Sequence, residues 1–183
     1  MYTLRSPPAR TALPSLLRHF HATRRPLVQV GDAVPNTELM ESSPGNKLSL
    51  SQHLGKTSGK ALIIGVPGAF SPACSASHIP SYLTSPNLKE AGQVFVVSVN
   101  DPFVMKAWGE ALNGAGGSGI RFLADPQGAF TRALDLEWDA TAAFGQPRSK
   151  RYALKIEDGK VKEVFVEPDN TGVDVSAADK VLG

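Results

Sequence analysis

The chain has 183 residues, 42% of them hydrophobic and 20% charged, which suits one ordinary domain of about 150 residues with its own core. No apolar run approaches the roughly 20 residues a membrane span needs, and the single cysteine, Cys74, excludes an intramolecular disulfide framework and any multi-cysteine metal site. The net charge of +2 hides an asymmetry: residues 1–31 hold five arginines and no Lys, Asp or Glu, leaving 14 basic against 17 acidic residues beyond them, a body with no basic cluster for nucleic acid.

The basic segment contains Arg5, Arg10, Arg18, Arg24 and Arg25, with Leu13, Leu16, Leu17 and Phe20 at helical spacing. Arginine, hydroxyl residues, an amphipathic stripe and no acid make the profile of a mitochondrial transit peptide, and Pro7, Pro8 and Pro14 limit its helicity. Processing is expected near Arg18-His19-Phe20 or Arg24-Arg25, with the matrix as destination and a cytosolic or peroxisomal pool left open. A basic tail without an import role is the alternative. Residues 32–183 then read as one domain, since no repeat, linker or composition break divides them.

Along that body, Lys60–Val66 is an almost wholly apolar run suited to a buried central strand, and Gln93–Val99 is another. Between them a helix is expected over Pro72–Glu90, opening after Ser71 at the cap and bent or broken by Pro80 and Pro86. Asp101 caps a helix from Pro102 that turns Val104, Ala107, Trp108, Ala111 and Leu112 towards the core and ends in Gly114–Gly119. Arg121–Asp125 reads as a third strand, and Gly128–Leu136 as a short helix opened by the turn residues Asp125-Pro126. Arg151–Ile156 and Val161–Val166 then alternate around an Asp158-Gly159 turn, the mark of a hairpin, and a helix over Ser176–Leu182 covers one face. Parallel strands joined by helices, then a hairpin and a helix, describe an α/β chain: a thioredoxin-like fold with a central mixed sheet flanked by helices.

Cys74 falls where the first strand gives way to a helix. A thiolate in a helix's first turn meets the positive end of the dipole and unpaired backbone N–H groups, the setting in which cysteine becomes a nucleophile. Taken alone, an isolated cysteine is more often an inert packing residue, Pro67 a strand terminator and Ser71 a helix cap. His78, four residues on and on the same helical face, invites a Cys-His dyad, but no orienting partner is evident and ring nitrogens there usually satisfy local groups.

Taken together, Pro67, Ser71 and Cys74 fit Pro-x-x-x-(Thr/Ser)-x-x-Cys, and Val66-Pro-Gly-Ala-Phe-Ser-Pro-Ala-Cys-Ser75 resembles the peroxiredoxins of the type II, or peroxiredoxin-5, branch. The likeness extends through Ser98–Val104, Trp108-Gly109, Leu123–Pro126 and Arg151–Leu154, about residues 27–182. It implies a thiol peroxidase in which Cys74 attacks hydrogen peroxide or an organic hydroperoxide. It also assigns the distant cation to Arg151 rather than Arg148. The chemistry is coherent in these residues. A thiolate attacks one oxygen in line while the leaving oxygen gains charge. Ser71 Oγ can donate to one partner and accept from another, the amides of Ala73 and Cys74 add donors, and Pro67 shields the sulfur from water. Serine at 71, where the family more often has threonine, keeps the hydroxyl and loses a stiffening methyl.

Ala73 and Phe70 are the expected substrate contacts, and Phe70, Phe103 and Trp108 the expected core or pocket walls, close to where the family forms homodimers. No metal or other cofactor is implied. Val175 stands where some relatives carry a resolving cysteine, so the sulfenic acid must be reset from outside, by glutathione with glutaredoxin, by thioredoxin, or by a second subunit's Cys74. Two alternatives remain: a peroxide sensor or redox-regulated interaction protein with little turnover, and a structural paralogue with an inert thiol.

Overall fold

A computed structural model describes residues 27–57, 59–113 and 117–183. Most of the transit-peptide reading, residues 1–26, lies outside the described residues. Residues 28–31, grouped by composition with that leader, pack on the body: Val28 N–H donates to the Leu134 carbonyl at 3.0 Å and Gly31 N–H to that of Val161 at 2.8 Å.

The elements in chain order are β1 (Glu38–Glu41), β2 (Ser43–Ser49), α1 (Leu50–Lys56), β3 (Lys60–Val66), α2 (Ile79–Thr84), β4 (Gln93–Ser98), α3 (Pro102–Asn113), β5 (Ile120–Ala124), α4 (Ala129–Ala133), β6 (Glu137–Trp138), α5 (Thr141–Phe144), β7 (Arg148–Ser149), β8 (Tyr152–Glu157), β9 (Lys160–Val166) and α6 (Ala178–Leu182). Seven strands form one sheet in the order β2-β1-β5-β4-β3-β8-β9, while β6 and β7 pair separately. β3, β4 and β5 run parallel; β1 and β8 flank them antiparallel. This is the mixed sheet flanked by helices that the sequence pattern predicts. The β1-β2 hairpin, α1, α5 and the β6-β7 pair are additions to that expectation, because their short, polar or Gly-Pro-containing segments carry little periodicity.

The apolar run of β3 divides by alternation. Ile63 joins Leu39, Leu54, Phe95 and Leu154 on one face, whereas Leu62 and Ile64 join Cys74, Ile79, Tyr82, Trp108 and Val181 on the other. Gly65 breaks the run because the Tyr152 ring lies across it; a Cβ there would stand 1.9 Å from a ring carbon. At the far end of the sheet, Asp158 and Gly159 take φ of +51° and +73°, the twisted two-residue turn that an Asp-Gly pair favours.

The structure refines three expectations. The helix foreseen over Pro72–Glu90 is disturbed at both prolines, as expected: a continuous helical run over 72–84 widens into a π turn at Cys74–His78 before α2, and a separate 3-10 turn follows at Pro86–Ala91. Pro80 has no N–H and its ring displaces the carbonyl four residues back, so the turn before it widens. In α3 Trp108 and Leu112 pack on the core as expected, joined by Met105 and Gly109, but Ala107 and Ala111 are exposed. Phe70 and Phe103 are not core residues either, at 55% and 61% exposed.

Candidate active site

The parallel strands end together, and ligand sites in such sheets gather at their carboxyl ends. Beyond Val66 the chain runs Pro67, Gly68, Ala69, Phe70 and Ser71 before entering a helical stretch in which Ser75 N–H donates to the Ser71 carbonyl at 3.0 Å. Pro67 and Gly68 are buried, Ala69 and Ser71 half-buried, and Ala73 exposed. Ser71 does not cap with its side chain as expected; its hydroxyl donates to the Gly68 carbonyl at 2.9 Å. Trp108 Nε1 donates to Ser75 Oγ at 2.9 Å, which ties the start of the helical stretch to α3.

Cys74 is fully buried. Its sulfur accepts a hydrogen bond from Arg151 Nη1 at 3.3 Å. The two residues are 77 positions apart, and strand register brings them together. β8 is antiparallel to β3 with Gly65 opposite Tyr152, so Arg151 arrives beside the carboxyl end of β3. Arg151, itself 1% exposed, gives three more of its five N–H donors to the protein: Nε and Nη2 both reach the Thr171 carbonyl, at 3.1 and 3.0 Å, and Nη1 also reaches His78 Nδ1 at 3.1 Å. A buried guanidinium fixed at four points is a rigid, permanent cation.

Arg148, the other candidate, is directed elsewhere. Its Nη1 donates to the Val99 carbonyl and its guanidinium stacks 5.0 Å from the centre of the Phe144 ring. Burial pulls its pKa below the usual arginine value. The same Phe144 ring packs on Gly68, where a Cβ would come within 3.0 Å of it.

His78 serves Arg151 rather than the thiol. Nε2 lies 3.0 Å from the Ser176 carbonyl and Nδ1 faces Arg151, which assigns the proton to Nε2 and leaves Nδ1 as acceptor. Burial, and then the charge of Arg151, lower its pKa from 6.5 to about 4, so the ring is neutral near pH 7. Ser176 is held in turn by Glu167, whose Oε1 accepts from Asp174 N–H, Ser176 N–H and Ser176 Oγ–H. Burial raises the carboxyl of Glu167, but those donors together outweigh it and keep the group ionised. The segment 167–176 thus closes around Arg151, and Arg151 N–H donates to the Asn170 carbonyl at 2.8 Å. Thr171, Ser176 and Glu167 were missed by sequence reasoning, because two of these contacts use backbone carbonyls, which any residue supplies.

This arrangement has a pH signature. The unfolded chain protonates His78 near 6.5, the folded chain only near 4. Stability present above pH 6.5 is therefore lost as pH falls towards 4, by up to about 3 kcal/mol. In urea denaturation at pH 7 and pH 4.5, the wild-type midpoint should fall further than that of His78→Gln. Parallel pH dependence in both proteins would show that His78 does not titrate in this window.

Two clefts on the described surface lie away from the sulfur. One is lined by Lys60, Asn87, Lys155, Glu163 and Leu182 at the amino end of β3; the other by Leu27, Pro35 and Leu134. Among the described residues no helix is long and apolar enough to cross a membrane.

Residues 29–182 match the Redoxin family model. The chain is 43% identical over 159 residues to peroxisomal membrane associated protein 20 of Schizosaccharomyces pombe, covering 85% of this chain and 98% of that protein. It is 40% identical over 127 residues to the mitochondrial peroxiredoxin-2F of Arabidopsis thaliana, covering 68% of this chain and 62% of that one. Among solved structures, reduced Prx3 of Vibrio vulnificus in complex with hydrogen peroxide superposes with a TM-score of 0.73 at 38% identity, covering 85% of this chain and 94% of that one.

Proposed function

Since the chain belongs to the redoxin family, and within it to the peroxiredoxins, we propose that Cys74 is its peroxidatic thiol, with Arg151, Ser71 and Pro67 completing the site. The enzyme is a thiol peroxidase with an antioxidant function. The observation that carries the assignment of residues is the 3.3 Å hydrogen bond from Arg151 to the Cys74 sulfur, the chain's single cysteine.

The thiolate attacks one peroxide oxygen; the O–O bond breaks and the other oxygen leaves as hydroxide, which takes a proton to become water. Cys74 is then a sulfenic acid. Arg151 stabilises the thiolate and the charge that develops along the O–O axis, from a site already organised before attack. Ser71 Oγ can rotate from Gly68 towards the peroxide, and the amides of Ala73 and Cys74 precede the first bond of the helical stretch, to Ser75 N–H. Pro67 removes a competing donor and keeps water from the sulfur. Phe70 and Ala73, both exposed, offer contacts for the organic part of a hydroperoxide.

Turnover needs an outside thiol. That thiol condenses with the sulfenic acid, releasing water and leaving a mixed disulfide, which a second thiol reduces. Because Cys74 is fully buried, the π turn that carries it opens for this step, which suits glutathione with glutaredoxin, or thioredoxin. A homodimer formed near Phe70 and Phe103 is part of this reading, as these are large apolar side chains left exposed. The arginine-rich leader supports import into mitochondria, the compartment in the name of the Arabidopsis relative, while the yeast relative is named for the peroxisomal membrane.

The test is stopped-flow oxidation of the reduced protein by hydrogen peroxide, followed by intact mass and then addition of each reducing system. Rapid gain of one oxygen at Cys74, reversed by one system, is the expected result. Rapid oxidation that no thiol system reverses would favour a sensor. No rapid oxidation would defeat the assignment.

A further inference from the structure

We infer that Asn100 is a positioning residue for peroxide attack, clamping the strained turn Gly68–Ser71 in the shape that the chemistry at Cys74 requires. The inference rests on reading Cys74 as the peroxidatic thiol. Phe70 has a φ of +59°, a left-handed conformation that a bulky residue enters at a cost of roughly 1–3 kcal/mol. Burial does not offset that cost, because the ring is 55% exposed. Neighbouring contacts must impose the conformation.

Two such contacts bracket Phe70. After it, the Ser71 N–H and hydroxyl both turn back to the Gly68 carbonyl, at 3.4 and 2.9 Å. Before it, the Ala69 N–H donates to Asn100 Oδ1 at 3.0 Å. The first is internal to the turn and would move with it. Of these two, only the second reaches beyond the turn, joining the contacts that the Phe144 ring makes with Gly68 and Ser75 N–H with the Ser71 carbonyl.

Asn100 is itself well anchored. Its N–H donates to the Ser98 carbonyl at 2.8 Å, and its Oδ1 lies 2.8 Å from Ser98 Oγ, a hydroxyl that also sits 3.1 Å from the Val66 carbonyl. Val66 and Ser98 are paired across parallel β3 and β4. The carboxamide therefore spans the carboxyl ends of two core strands and fixes the chain leaving the first to the chain leaving the second. Pro67 and Ser71 lie on that fixed segment. Arg151 does not, being held by Thr171 and His78. Without Asn100, Phe70 can relax to negative φ and carry Ser71 out of line, while the sulfur and its cation stay in place.

The clamp therefore separates two reactions of one sulfur. In the full-length, pre-reduced chain, Asn100→Leu should slow oxidation by hydrogen peroxide about tenfold or more, because in-line attack on the O–O bond depends on the turn, yet leave iodoacetamide alkylation across pH within about twofold. Asn100→Asp keeps an oxygen for the Ala69 N–H and should stay within about threefold of wild type in both reactions. Glycine takes positive φ at no steric cost, so Asn100→Leu should cost clearly less peroxide rate in a Phe70→Gly background. An unchanged peroxide rate, equal losses in both reactions, or the same penalty in both backgrounds would overturn the clamp. A wild-type chain that is alkylated but not rapidly oxidised would defeat the peroxidase reading and the clamp with it; a fast wild type with an indifferent Asn100→Leu would defeat the clamp alone.

Discussion

Cys74→Ser is expected to reduce peroxide turnover to background, a loss of at least about 10⁴-fold, of the order seen when the nucleophile of a covalent catalyst is removed. A hydroxyl in the same place remains protonated and is a poor nucleophile, whereas the attacking species in the proposed mechanism is a thiolate. The chain has no second cysteine to substitute for it. The fold should survive, because serine is nearly isosteric and its oxygen can accept the N–H that Arg151 now gives the sulfur. The cost in stability is expected to be no more than about 2 kcal/mol, set by burying a hydroxyl with one partner. Stopped-flow kinetics and thermal unfolding of the same preparation check both halves. Residual turnover well above background would remove Cys74 from the centre of the reaction.

Arg151→Ala should slow oxidation of Cys74 by about 10²–10³-fold, the usual effect of deleting a preorganised donor to a charged transition state. The sequence alone suggests a change felt mainly in catalysis, but the structure adds a stability cost. Arg151 is buried, and its removal strands the Thr171 carbonyl and His78 Nδ1 as well as the sulfur. A loss of about 2–4 kcal/mol follows from the two buried acceptors left orphaned, His78 Nδ1 and the sulfur, and from the cavity left behind. Arg151→Lys separates charge from geometry. An ammonium is a point charge that cannot serve the carbonyl, the imidazole and the sulfur together, so the lysine variant should recover stability more than rate. Arg148→Ala is the control, since its guanidinium engages Val99 and Phe144 and not the sulfur. Loss of rate in Arg148→Ala with none in Arg151→Ala would exchange their roles.

The sequence made local features legible. Short, near-continuous apolar runs mark β3 and β4, the Asp-Gly pair marks the turn between the alternating strands β8 and β9, and Asp101 caps α3 by accepting from Phe103 and Val104 N–H, at 2.9 and 3.0 Å. The candidacy of Cys74 as the nucleophile was legible too, because a strand end, a helix start and a proline-serine-cysteine spacing lie within nine residues. Each depends on residues close together in the chain, where side-chain type and backbone preference act directly. The broken helix after Cys74 was half visible: Pro80 and Pro86 announce interruptions, but whether the chain answers with a kink, a π turn or a gap depends on what packs against it.

The tertiary structure alone decided the long-range questions. Residue type does not separate Arg148 from Arg151, and only the family resemblance chose Arg151; the physical reason is the register that sets Tyr152 opposite Gly65 and brings Arg151 to the sulfur, while Arg148 meets Phe144. His78 was expected to satisfy nearby groups rather than pair with Cys74, and it does; that those groups are Arg151 and the Ser176 carbonyl follows from the segment 167–176 returning to bury it. Asn100 falls inside the resembling segment Ser98–Val104 but takes no role from it, since a single carboxamide after a strand is ordinary until parallel pairing places it against Ala69. The physical reason is common to all three. Local preference sets what a short segment does, but the partner of a buried polar group is set by sheet order and register, and those are fixed only when the whole core packs.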